Sequence, residues 1–118
     1  MQICGRIAVI FVTGPLYAGK REWIRSRLNL TEEEFASCAV WDVQNLVPCD
    51  DLIALADELA QKRIAIATEI GGGVVPADAA EREKREAAGR LACLLAERAD
   101  TVIRVFCGLP RLLKGEWP

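Results

Sequence analysis

Apolar residues gather in four short runs, at 7–13, 37–43, 63–70 and 101–107. Each run is near-continuously apolar rather than alternating, as strands buried on both faces of a parallel sheet are. Between the runs, apolar positions recur every three or four residues. The spacing predicts a helix from Lys20 to about Asn29 with Trp23, Ile24 and Leu28 facing inward. A second is predicted over 51–62, with Asp50 as N-cap and Leu52, Ile53, Leu55, Ala56 and Leu59 on one face. A third is predicted over 77–98, charged in its first half and carrying Ala88, Leu91, Ala92, Leu94 and Leu95 in its second. Strands that alternate with helices imply right-handed βαβ units. The expected architecture is therefore α/β, a mostly parallel sheet of four or five strands with helices on both faces. No repeat, low-complexity stretch or linker divides the chain, so residues 1–118 are expected to form a single domain.

Composition narrows the functional classes. The chain has 118 residues, of which 52% are hydrophobic and 27% charged, which is the balance of a globular protein. A formal net charge of -2 offers no broad attraction for nucleic acid or acidic membranes, so any anion must be held by a local site. The apolar run after Arg6 is short, lacks an A-x-A-like cleavage site and passes into a glycine motif, so it reads as a buried strand. No segment approaches the ~18 consecutive apolar residues of a membrane span. Cys4, Cys38, Cys49, Cys93 and Cys107 are odd in number, scattered, and form no C-x-x-C pair. Cys38, Cys93 and Cys107 lie in apolar stretches and are expected to act as small reduced hydrophobes. These features predict a cytoplasmic protein. The absence of histidine removes Ser-His and Cys-His catalytic pairs and makes structural zinc improbable.

The chemistry concentrates in one motif. Gly14, Pro15, Leu16, Tyr17, Ala18, Gly19, Lys20 and Arg21 follow the spacing G-x-x-x-x-G-K, between a predicted strand and a predicted helix. Such a loop lets successive backbone N–H groups curl around phosphate oxygens, while the helix N-terminus and the lysine add positive charge. The plainer alternative is an ordinary glycine turn. Strand before and helix after favour phosphate binding, and with it a P-loop NTPase-like fold. The Ser or Thr that usually follows the lysine and ligates Mg²⁺ is Arg21 here, which bears on metal-assisted transfer more than on anion binding.

Two carboxylates stand at the ends of predicted strands. Asp42 closes Ala39-Val40-Trp41-Asp42 and Glu69 closes Ala67-Thr68-Glu69, positions from which a carboxylate can reach Mg²⁺ beside bound phosphates. Asp42 could equally cap a turn. The run Gly71-Gly72-Gly73-Val74-Val75-Pro76 suits an active-site loop or any tight connection. Residues 81–86 read as a solvated face with pairs such as Glu81–Arg85, although Arg82 and Arg85 share a face that an anion could use. Trp23 and Trp41 read as core, and residues 115–118 as a frayed tail unless Trp117 packs on a neighbouring subunit.

Taken together these residues resemble the adenosylcobinamide kinase/adenosylcobinamide-phosphate guanylyltransferase family of cobalamin biosynthesis. Residues 67–76, Ala-Thr-Glu-Ile-Gly-Gly-Gly-Val-Val-Pro, are similar to its T/S-N-E-V-G-x-G-I-V-P segment. The likeness continues through Arg82, Arg85, Ala88-Gly89-Arg90 and Ala99-Asp100-Thr101-Val102, and Val40-Trp41-Asp42 with Asn45-Leu46 looks like a compressed L-L-D-C-L…N-L-L. The resemblance implies ATP or GTP on the P-loop, Lys20 at the transferring phosphoryl group, Asp42 holding Mg²⁺, Glu69 positioning metal or acceptor hydroxyl, and a corrinoid acceptor. It also implies a homo-oligomer, by analogy a trimer. The section between the family's first helix and its Asp strand is largely absent, and with it the histidine that the family guanylylates. Guanylyl transfer through a histidine adduct is thus excluded chemically, whereas kinase chemistry survives. Two other readings stay open: a non-catalytic nucleotide-binding module or partner subunit, and a different nucleoside or small-alcohol kinase.

Overall fold

Neighbouring residues of a strand face opposite sides of a sheet, so a continuous apolar run demands cover on both. The computed structural model describes residues 8–70 and 78–118, and it meets that demand. Five strands, β1 (Ile10–Gly14), β2 (Ala39–Val40), β3 (Ile64–Thr68), β4 (Thr101–Phe106) and β5 (Leu109–Lys114), lie in the order β2-β3-β1-β4-β5. The first four are mutually parallel, and β5 returns antiparallel along the edge of β4. The predicted α/β class and mostly parallel sheet are what the protein has.

Register sorts the side chains cleanly. Ile10, Val12, Ile64, Ile66, Ile103 and Val105 share the face covered by α1 (Lys20–Arg27) and α2 (Glu32–Cys38), where Ile24 and Phe35 fill the core. Phe11, Ala65, Ala67 and Val102 share the opposite face, beneath α3 (Leu52–Leu59) and α4 (Ala79–Arg98). The alanines of β3 make room there for Leu91 and Leu95, which are 1% and 2% exposed. Burying one such side chain is worth about 1.5–3 kcal/mol.

Several boundaries differ from the sequence reading. The run at 37–43 yields only two strand residues, because Ser37 and Cys38 close α2 and Val43 opens a 3₁₀ turn, Val43–Leu46. Helix α2 has a complete capping box: the Thr31 hydroxyl accepts from Glu34 N at 3.1 Å and the Glu34 carboxylate accepts from Thr31 N at 2.8 Å. That local reward wins residues 37 and 38 for the helix. Helix α3 starts at Leu52 and is capped by Asp51, whose carboxylate accepts from Ala54 N, rather than by Asp50. Strand β5 follows a tight turn in which Cys107 and Gly108 both have positive φ, 53° and 74°, as two-residue hairpins require. Pro110 argues against an interior strand and is accommodated because β5 is an edge.

Three further expectations are corrected. Cys93 and Cys107 are exposed and Cys38 half-buried, so apolar sequence neighbours did not carry these thiols inward. Residues 116–118 are tied down: the Trp117 ring meets Trp23 edge-on at 6.2 Å, and Arg27 Nε donates to Pro118 O at 2.9 Å. Trp23 and Trp41 are half-buried at the rim of the core rather than within it. The glycine run at 71–76 lies outside the described residues. No described helix is long and apolar enough to cross a membrane.

Candidate functional site

The central strand β1 delivers the chain into the loop at the carboxyl edge of the sheet. Gly14 ends it against the carbonyl oxygen of Val105, where a Cβ would collide. Tyr17 (φ 60°) and Gly19 (φ 86°) then turn through the left-handed region. For a bulky residue such as Tyr17 that conformation is costly by about 1–2 kcal/mol, so the surrounding structure must enforce it. The enforcement is visible: Gly108 N donates to Ala18 O at 2.8 Å, and Glu69 N donates to Gly14 O at 2.9 Å. The β4–β5 turn and the end of β3 therefore brace the loop from both sides. Helix α1 starts directly after Gly19, and no side chain among the described residues caps its N-terminus. Its first N–H groups and the positive end of its dipole are thus directed at the loop.

Lys20 is only 8% exposed, and its Nζ donates to Pro15 O across the loop at 2.7 Å. Burial lowers its pKa from the usual lysine value, and the fields of Asp42, Glu69 and Glu22 oppose that shift. A cleft of about 250 Å³ opens here, lined by residues 16–22 together with Asp42, Ile66 and Thr68.

Asp42 follows β2 with φ 56°, a conformation that aspartate tolerates better than most residues. It is the N-cap residue of the 3₁₀ turn, where its backbone oxygen accepts from Asn45 N at 3.0 Å, while its side chain makes no cap bond. Its exposed carboxylate borders the cleft that Lys20 borders.

Glu69 is differently placed. Its carboxylate is gripped by the Arg104 guanidinium, Oε2 to Nε at 2.7 Å and Oε1 to a terminal nitrogen at 2.8 Å. The hydrogen bond from Arg104 holds its pKa below the ordinary carboxylate range. Glu69 contributes to the field at Lys20 but lines an adjoining cavity of about 110 Å³, with Gln44 and Thr68, rather than the loop cleft itself. Buried Gln44 joins these parts, since its Oε1 accepts from Thr68 N at 2.9 Å.

Arg104, Gln44 and Thr68 were not singled out from sequence. Arg104 does interrupt the apolar run Thr101-Val102-Ile103-Arg104-Val105, and an arginine inside a buried strand signals a carboxylate partner. Gln44 gives no comparable signal, because its role depends on the 3₁₀ turn. Arg82 is exposed and Arg85 half-buried on the first half of α4.

A magnesium ion would find part of its usual donor set. Asp42 supplies one carboxylate, which together with phosphate oxygens and water can complete a Mg²⁺ shell. The residue after Lys20 is Arg21, which offers a cation no ligand oxygen, and Glu69 is engaged by Arg104. No group of three or more metal-ligating Asp, Glu, Cys or His side chains occurs among the described residues.

No curated protein matches the sequence at a significant level. A family model described as cobinamide kinase / cobinamide phosphate guanyltransferase matches residues 23–113. The match begins three residues beyond Lys20, so it does not include the loop. With well over half of its length matched, this chain belongs to the cobinamide kinase / cobinamide phosphate guanyltransferase family.

Proposed function

We propose that the protein binds the triphosphate of ATP or GTP on residues Gly14–Arg21 and carries out the kinase half of its family's chemistry on a corrinoid alcohol. The observation that carries this reading is the buried Lys20 ammonium, held inside a loop of positive-φ residues and facing the Asp42 carboxylate across a cleft.

In this reading the backbone N–H groups of the loop and the first turn of α1 receive the phosphates. Lys20 exchanges its bond to Pro15 O for a γ-phosphoryl oxygen and stabilises the charge that spreads over it during transfer. The acceptor oxygen bonds to the γ-phosphorus, the bond to the β-phosphate bridging oxygen breaks, and the nucleoside diphosphate leaves. Asp42 takes the acceptor proton; it is also the carboxylate that would hold a Mg²⁺ ion, which when bound would supply added charge neutralisation. Glu69, fixed by Arg104, orients the acceptor from the adjoining cavity. Guanylyl transfer through histidine is not part of the proposal, because the sequence has none.

The protein is further proposed to work as one domain in the cytoplasm and as a homo-oligomer, by family analogy a trimer. Exposed apolar residues at the mouth of the loop, Leu16, Tyr17, Phe106 and Leu109, support a partner there. A second reading, a nucleotide-binding module without catalysis, is favoured by one observation: Arg21 in place of the metal-binding hydroxyl.

Incubation of the protein with γ-labelled ATP or GTP and cobinamide decides between them. Label transferred to the corrinoid supports the kinase. Nucleotide binding without transfer at any Mg²⁺ concentration supports the module.

A further inference from the structure

Arg21 occupies a position from which it can serve two sites. It borders the loop cleft beside Lys20, Asp42 and Thr68, and it also borders a neighbouring polar cavity of about 390 Å³ between α1 and α2. Its guanidinium lies over the Trp41 ring at 4.7 Å from the centroid. Trp41 in turn stacks on buried Phe35, with centroids 5.5 Å apart and planes 19° from parallel. The stack seats the cation on a rigid aromatic base next to Asp42, one residue beyond Trp41. A guanidinium is always charged, weakly hydrated, and able to grip two phosphate oxygens at once. The residue it replaces does the opposite job, since a Ser or Thr hydroxyl contributes no charge and acts by holding Mg²⁺.

We infer that Arg21 is a phosphate-binding residue that takes over the charge role of the P-loop metal, so that this protein binds nucleoside triphosphate without a divalent cation. Binding turns the guanidinium from the Trp41 ring to the phosphates, and Trp41 is its resting place. The inference rests on the triphosphate reading above and adds that the site's metal requirement is replaced rather than lost.

The test is a calorimetric titration of the full chain with non-hydrolysable ATP and GTP analogues, in EDTA and in Mg²⁺, with tryptophan fluorescence followed in parallel. Wild-type affinity is expected to differ by less than about threefold between the two conditions, against the loss of about tenfold or more that removing one charge-assisted contact brings. Arg21→Ser should lose at least about tenfold in EDTA and recover in Mg²⁺. Arg21→Lys, which keeps a charge without the fork, should fall between the two and guards against a folding defect in the serine variant. Trp41→Phe should abolish most of the fluorescence change. Because it weakens the contact that Arg21 gives up on binding, it should not lower the calorimetric affinity; a loss of about tenfold or more would overturn Trp41 as the resting place. If wild type binds only with Mg²⁺, or Arg21→Ser binds equally well in EDTA, the inference falls and the triphosphate reading stands. If wild type binds neither analogue in either condition, the triphosphate reading falls and takes the inference with it.

Discussion

Gly14 lies so close beneath the carbonyl oxygen of Val105 that the loop and β4 touch backbone to backbone. Neither partner is a flexible side chain, so nothing can swing aside for a methyl group. Gly14→Ala is expected to destabilise the fold by about 1–3 kcal/mol, the usual range for overpacking at a rigid site. Urea unfolding would measure it. A change below about 0.5 kcal/mol, the scatter of neutral surface substitutions, would mean that the loop is not anchored on β4.

Burial disfavours the charged form of Lys20. Burial lowers its pKa, so the folded state gives up its proton more readily than the unfolded chain does. Between the lowered folded value and the unfolded value near about 10.4, the unfolded state carries more protons, and stability rises with pH. Below that window the charged lysine reduces stability. Lys20→Met should therefore melt no lower than wild type at pH 7, and wild type should gain on the mutant as pH rises into the alkaline window. The same mutant should lose triphosphate affinity by at least about tenfold, because a charged phosphate contact is gone. A mutant that melts lower at neutral pH would show that the bond to Pro15 O outweighs the burial penalty.

The pair Glu69–Arg104 makes a prediction in acid. Both side chains are partly exposed, 36% and 41%, so screening keeps the pair's contribution to stability small. Its effect on titration is clearer. The Arg104 hydrogen bond lowers the Glu69 pKa, so the contribution is complete above the unfolded carboxylate value, about 4.3, and is lost as pH falls through the lower folded value. Carboxyl NMR should show Glu69 titrating below ordinary glutamates in wild type and moving up to join them in Arg104→Ala. An unchanged titration in the mutant would mean that another group, such as Lys20, sets the shift.

The sheet was legible because burial on both faces writes itself as unbroken apolar runs, and the loop because G-x-x-x-x-G-K needs specific residues at specific places. Asp42 and Glu69 follow β2 and β3 by two residues and by one, and chain order alone brings the ends of parallel strands to one edge. What sequence did not convey was division of labour between them. That division depends on Arg104, which reaches Glu69 from a strand 35 residues away, and on Gln44, which ties a turn to β3. Such pairings are set by tertiary register and leave little periodic trace. Helix α2 is a different kind of omission, because Thr31-Glu32-Glu33-Glu34 carries a legible capping box. The apolar residues at 38–41 suggest a strand, whereas in the protein the local hydrogen bonds of the capping box prevail.

Trp117 offers the most direct check on the chain's end. It meets Trp23 edge-on with planes at 66°, and the Arg27 guanidinium lies 5.9 Å from its ring centre. Thr101 Oγ1 donates to Glu116 O at 3.2 Å, and Gly115 packs against the Asp100 carbonyl, so the backbone before the ring is also fixed. Trp23 belongs to the helix that Lys20 opens, and clamping it steadies the helix behind the loop. Because Trp117 is 46% exposed, only part of its burial energy is realised. Trp117→Ala should therefore cost about 1–2 kcal/mol, from partial burial and one aromatic pair. For a domain of this size that corresponds to a fall in Tm of roughly 4–8 °C. Trp117→Phe should recover most of it, since the edge-on contact survives the exchange. If both variants melt like wild type, the tail does not hold α1 in place, and the stability of the loop must come from β3 and β4 alone.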